Sequence, residues 1–82
     1  MRDARGKARI AARIRSAELG NLGDTAAVGS GISEMRVHFG PGYRVYFKVR
    51  GKTLILLLLG GSKATQDRDI RKAKEIAISL EE

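Results

Sequence analysis

The sequence predicts an α+β fold, an antiparallel three-stranded meander flanked by an N-terminal and a C-terminal helix. Three observations predict it. Residues 3–19 and 66–80 carry apolar side chains at helical spacing. Between them, residues 33–39, 43–49 and 53–59 form three strand-like runs. Gly40-Pro41-Gly42 and Arg50-Gly51 separate those runs with turn chemistry. With 82 residues, the chain is expected to form one domain, 1–82. A domain of this size buries only roughly 60–65% of the surface its unfolded chain exposes, so its stability is modest.

In the first helix, Ala4, Ala8, Ala11, Ile14 and Ala17 recur at helical spacing beside Ile10, and Gly20-Asn21 supplies a stop. Arg5, Arg9 and Arg13 follow one another at four-residue spacing on the predicted outer face. Such a stripe is either a solvated face or a contact for phosphate or an acidic partner. Residues 20–31, with Gly20, Gly23, Gly29 and Gly31 and little periodicity, read as a loop.

The second and third runs carry the chemistry. Side chains alternate faces along a strand. Met35, Val37 and Phe39 share one face with Tyr43, Val45, Phe47 and Val49. Arg36, His38, Arg44, Tyr46, Lys48 and Arg50 take the other. Pairing Phe39 with Tyr43 sets His38 opposite Arg44, Arg36 opposite Tyr46 and Glu34 opposite Lys48. One sheet face then holds a cluster of cations with the only histidine. The last run, Leu54 to Leu59, does not alternate, as in a strand covered on both faces. As the third strand of three it would instead lie at an edge. In the final helix Thr65 is the expected N-cap, Asp67 and Asp69 suit the positive helix end, and Ile70, Ala73, Ala77 and Leu80 form the inward stripe beside Ile76.

Net charge is +7, which favours a polyanionic partner, nucleic acid before membrane. Residues 1–20 carry six cations and two anions, residues 21–62 five and two, and residues 63–82 five of each. The positive field therefore comes from the first helix and the sheet. There is no cysteine and one histidine, which excludes a disulfide framework and argues against a zinc site; no metal or cofactor is expected. No apolar run reaches the ~20 residues of a membrane span, and the basic N-terminus lacks the apolar region of a secretory signal, so a cytoplasmic protein with no membrane partner is expected. Gly60-Gly61-Ser62-Lys63 lacks the spacing of a phosphate-binding loop for nucleotides.

Cutting RNA without metal needs a base for the 2′-hydroxyl proton, cations for the phosphoryl oxygens and an acid for the leaving oxygen. His38 suits acid–base work near neutral pH. Arg36 and Arg44 suit bidentate phosphate contacts. Tyr46 can stack on a base or position a proton. Lys63 adds a cation at the mouth of the last helix. The plainer alternatives are an exposed strand histidine and a salt bridge from Arg44 to Glu34. Lys48 and Arg50 read as peripheral phosphate contacts or solvated cations.

The block from Gly29-x-Gly31-Ile32-x-Glu34-Met35-Arg36-Val37-His38-Phe39-Gly40-Pro41-Gly42-Tyr43-Arg44-Val45-Tyr46-Phe47, followed by Leu57-Leu58-Leu59-Gly60-Gly61-x-Lys63-x-x-Gln66-x-x-Asp69-Ile70-x-x-Ala73, resembles the RelE/ParE toxin superfamily, most nearly its HigB-like branch of addiction-module killer proteins. The resemblance runs from about residue 2 to residue 78. It implies the toxin of a type II toxin–antitoxin system, a metal-independent mRNA endonuclease (mRNA interferase) acting on the ribosome and neutralised by a cognate antitoxin protein. By position, Arg44 matches the Tyr-Arg pair after the turn best, and Arg36 and Lys63 match basic positions. His38 and Tyr46 come from facing geometry. The ParE branch keeps the fold and inhibits DNA gyrase instead, and a non-catalytic nucleic-acid-binding remnant is a third reading. Two departures stand out. Members of the branch usually begin with an extra strand and helical segment that this chain lacks, and Ser62 stands where relatives often carry an acid. The lost strand is the natural neighbour of Leu54–Leu59. That edge is therefore expected to be covered by a second copy of the chain or by an antitoxin segment.

Overall fold

Four antiparallel strands, rather than three, make the sheet of the computed structural model, which describes residues 4–21, 23–38, 42–61 and 63–81. Helix α1 (Ala4–Glu18) is followed by β1 (Thr25–Gly29), β2 (Ile32–Val37), β3 (Tyr43–Arg50) and β4 (Thr53–Gly60). A 3₁₀ turn (Lys63–Thr65) leads directly into α2 (Gln66–Glu81). The sheet order is β1-β2-β3-β4, a meander. The expected three-stranded sheet is thus corrected by one strand. Thr25–Gly29, read above as loop, pairs with β2 as an edge strand. The physical reason is the Gly29-Ser30-Gly31 corner, where all three residues adopt positive φ (99°, 56° and 75°) and fold β1 tightly back on β2.

α1 ends as its sequence predicts. Gly20 takes φ 97°, Asn21 N donates to Ser16 O at 2.8 Å and Gly20 N donates to Ala17 O at 3.0 Å, which satisfies the last carbonyls. Its buried face differs from the expected alanine stripe. Gly6, Ile10 and Ala17 are buried and Ile14 packs beside them, whereas Ala4, Ala8 and Ala11 are exposed.

Each helix covers its own face of the sheet. Ile10 and Ala17 of α1 pack on Met35, Val37, Val45 and Phe47. Ala73 and Ala77 of α2 pack on Ile32, Tyr46 and Leu57, with Ile70 and Ile76 alongside. Leu80, expected in that stripe, is exposed. α2 thus covers part of the sheet face that carries the cations.

The register of β2 on β3 also differs. Val37 pairs with Tyr43, which sets Arg36 opposite Arg44 and Glu34 opposite Tyr46, rather than His38 opposite Arg44 and Arg36 opposite Tyr46. The difference is two residues, and because side chains alternate with period two it leaves every face assignment intact. The Phe39-Gly40-Pro41 part of the turn lies outside the described residues.

β4 does lie at an edge, and a bulge explains its unbroken apolar run. Its register shifts opposite Tyr46/Phe47, so that Leu58 pairs with Tyr46 and Leu56 with Phe47, with Leu57 between them. Leu57, Leu58 and Ile55 pack toward α2, and Leu54 packs toward α1. Leu56 and Leu59 remain 52% and 45% exposed beside Val49. Among the described residues no helix is long and apolar enough to cross a membrane.

Candidate functional site

Where β2 ends and β3 begins, Arg36, Val37, His38, Gly42, Tyr43 and Arg44 line one cleft of about 200 Å³ with Lys63. Sequence parity puts Arg36 and His38 on the α2 side of β2 and Arg44 on the same side of β3. Arg44 also pairs with Gly60 at the end of β4, and Lys63 opens the 3₁₀ turn three residues later, which brings it to the same corner. Four of the five residues predicted to act on a phosphodiester therefore converge.

An acid organises the arginines. Glu34 is 1% exposed, and a buried carboxylate must be paired. Arg36 donates from Nε to its Oε1 at 3.2 Å, and Arg44 donates from Nε to the same oxygen at 3.4 Å. Gln66, the first residue of α2, donates from Nε2 to Oε2 at 2.7 Å. The plainer reading of Arg44, a salt bridge to Glu34, holds geometrically. It does not remove Arg44 from the cleft, which Arg44 lines while its Nε meets Glu34.

A second acid organises the histidine. Arg36 N donates to Asp24 O at 3.0 Å, which carries the β1–β2 pairing one residue further and sets Asp24 beside the end of β2. The Asp24 carboxylate then lies 2.7 Å from His38 Nε2 and 3.6 Å from Arg36 Nη1. The hydrogen bond to His38, aided by the charges of Arg36 and Arg13, holds the Asp24 carboxyl below the usual carboxylate range. An ionised carboxylate only accepts, so His38 Nε2 carries the proton of that bond. Nδ1 is then the nitrogen of the neutral ring that can take a proton from elsewhere. The His38 side chain is 76% exposed and accessible to a large substrate.

Tyr46 does not share this cleft. It is fully buried beneath α2, and its hydroxyl has no hydrogen-bond partner among the described residues. Burial first, and then the nearby carboxylates of Glu34 and Asp69, push it up to about 12, although no well-formed hydrogen bond joins it to Glu34. Gly60 makes room for it. A Cβ at Gly60 would lie 2.7 Å from Tyr46 Cε2 and 2.9 Å from Asp69 Oδ2. Thr65 closes this corner by donating from Oγ1 to Asp69 Oδ2 at 2.8 Å.

The peripheral cations are spread out. Lys48 and Arg50 lie along β3 roughly 13 and 20 Å from Arg44, at about 3.3 Å per residue. Arg5 and Arg9 are exposed on α1, the helix across the sheet from Arg36 and Arg44. Arg13 instead turns inward, its guanidinium against the Gly23 backbone, where its charge reaches Asp24. Sequence reasoning missed Asp24, because a lone acid in a glycine-rich stretch carries no pattern. Among the described residues no three His, Cys, Asp or Glu side chains converge in the way a metal site requires.

Fold and site together define an α+β protein whose four-stranded antiparallel sheet, with a helix on each face, carries a cationic, histidine-bearing cleft at one corner. The chain is 48% identical over 80 residues to an uncharacterized protein of Haemophilus influenzae, a match that covers 98% of this chain and 81% of that one. It belongs to the same family as that protein. No protein-family model matches the chain, and no solved structure matches it significantly.

Proposed function

We propose that this protein is the toxin of a type II toxin–antitoxin pair of the RelE/ParE kind, a metal-independent endonuclease acting on mRNA at the ribosome. The observation that supports this reading most is the convergence of Arg36, His38, Arg44 and Lys63 on one cleft. In the reaction, His38 Nδ1 takes the proton of a ribose 2′-hydroxyl. That oxygen attacks the adjacent phosphorus, and the bond from phosphorus to the 5′-oxygen breaks. Arg36 and Arg44 hold the phosphoryl oxygens as charge builds on them. The leaving oxygen takes a proton from Lys63, another donor lining the cleft. The products are a 2′,3′-cyclic phosphate and a 5′-hydroxyl. The protein works in the cytoplasm, and an antitoxin neutralises it by covering the basic cleft. The bare β4 edge belongs to that antitoxin or to a second copy of the chain.

Incubation with programmed ribosomes at the magnesium concentration that keeps them assembled, followed by mapping of mRNA ends, tests the reading. Discrete cuts bearing 5′-hydroxyl ends are expected. Intact mRNA together with inhibited gyrase supercoiling would replace the reading with a ParE-like one. Neither activity, with salt-sensitive RNA binding, would leave a nucleic-acid-binding module.

A further inference from the structure

We propose that Glu34 is a positioning residue that locks Arg36 and Arg44 into a single clamp for one phosphate. This rests on the reading of the cleft as a phosphodiester site. Arg36 and Arg44 face each other across β2 and β3 as a direct cross-strand pair, an arrangement in which like charges repel. Glu34 offsets that repulsion from the next position on the same face of β2. Its Oε1 receives Nε of both guanidinia, and its Oε2 is pinned by Gln66 of α2. A guanidinium held at Nε has its plane fixed; Arg44 then turns its two terminal amino groups to a phosphate as a fork, and Arg36, whose Nη1 lies 3.6 Å from Asp24, adds Nη2. With the Asp24 carboxylate 3.6 Å from Arg36 Nη1, two cations meet two anions, so the clamp acts through the placement of its groups rather than through net charge. The clamp is assembled before substrate arrives, and α2 is part of it through Gln66.

The sign of one substitution separates positioning from simple charge. Glu34→Gln makes the protein more positive, so general electrostatics predicts tighter binding to a polyanion. Loss of the clamp predicts weaker binding. The probe is a short single-stranded RNA with 2′-O-methyl groups throughout, which offers no hydroxyl for attack, followed by fluorescence anisotropy at fixed salt. Weakening of about tenfold or more is expected for Glu34→Gln, with Arg44→Ala costing much less in that background than in the native protein. Equal or tighter binding by a folded Glu34→Gln protein overturns the proposal, as does the absence of measurable binding by the native chain. Should Glu34→Gln fail to fold, Arg36→Lys and Arg44→Lys decide. Each keeps its charge but cannot hold the carboxylate and the phosphate at once, so each is expected to lose about tenfold. Binding within about twofold of native by both overturns the clamp. The readout needs neither ribosome nor bond cleavage. A protein that clamps the probe in this manner but cuts nothing supports the clamp while removing the nuclease reading.

Discussion

Replacing Tyr46 with phenylalanine removes one oxygen from a fully buried ring. That oxygen has no hydrogen-bond partner among the described residues, which leave its desolvation uncompensated. A buried hydroxyl in this state costs roughly 1–3 kcal/mol, part of which the variant recovers. Tyr46→Phe is therefore expected to raise stability by about 1 kcal/mol at neutral pH, a shift of about 4–8 °C in Tm for a domain of this length. The pH dependence is a second, independent consequence. The hydroxyl's ordinary pKa of 10.0 is pushed up to about 12 in the folded protein. Above pH 10 the unfolded chain releases this proton and the folded one does not, so stability falls as pH rises through that window. The loss from this group is about 1.4 kcal/mol at pH 11 and approaches about 2.7 kcal/mol above pH 12. Tyr46→Phe abolishes it. Urea unfolding of both proteins at pH 7, 9 and 11 measures the difference, and their stability gap is expected to widen by about 1.4 kcal/mol between the outer two. A variant less stable than native at pH 7 by more than about 1 kcal/mol would show that the hydroxyl is satisfied. A gap independent of pH would refute the raised ionisation.

Three other outcomes follow from named contacts. Asp24 has a lowered pKa when folded, so its contribution to stability is present above its ordinary value of 3.8 and is lost as pH falls through the lower folded value. In thermal melts between pH 2 and 6, Asp24→Asn is expected to flatten this acid limb, and an unchanged limb would count against the His38–Asp24 bond. Gly60→Ala drives a methyl group into the Tyr46 ring and the Asp69 carboxylate, at 2.7 and 2.9 Å, and is expected to cost about 1–3 kcal/mol in urea unfolding. If the cleft cleaves mRNA as proposed, His38→Ala slows that cleavage by about 10²–10⁴-fold in single-turnover assays, with ribosome binding retained.

The extent to which the chain was legible varies with the signal each residue carries. The cationic side of β2 and β3 was readable because parity survives a two-residue error of register. The pairing itself was not, because it is set at a turn where several loop lengths connect the same strands equally well. β1 escaped notice because Thr25-Ala26-Ala27-Val28 holds one large apolar side chain and no alternation. Its strand state comes from the Gly29-Ser30-Gly31 corner and the neighbour it folds onto. The apolar run of β4 misled in a different way. A bulge turns both Leu57 and Leu58 toward α2, so the run serves two faces without being an interior strand. Tyr46 was placed on the correct face but in the wrong surroundings. The apolar stripe of α2 had to be buried somewhere, and the half of that face holding Ile32, Tyr46 and Leu57 is where it lies. Glu34 was visible as a partner for Arg44, but not as the shared anchor of two arginines and a helix. That role depends on a contact between residues 34 and 66, which no local pattern encodes.

The central claim is that the cleft at the junction of β2, β3 and the 3₁₀ turn cleaves RNA and that Arg44 is its principal phosphate contact. Single-turnover cleavage of ribosome-bound mRNA by the native protein and by Arg44→Ala, both verified as folded by circular dichroism, tests it most directly. The account predicts cleavage by the native protein that leaves 5′-hydroxyl ends, and loss of at least about 10²-fold in Arg44→Ala. Equal rates for the two proteins, or no cleavage by a folded native chain, would contradict it.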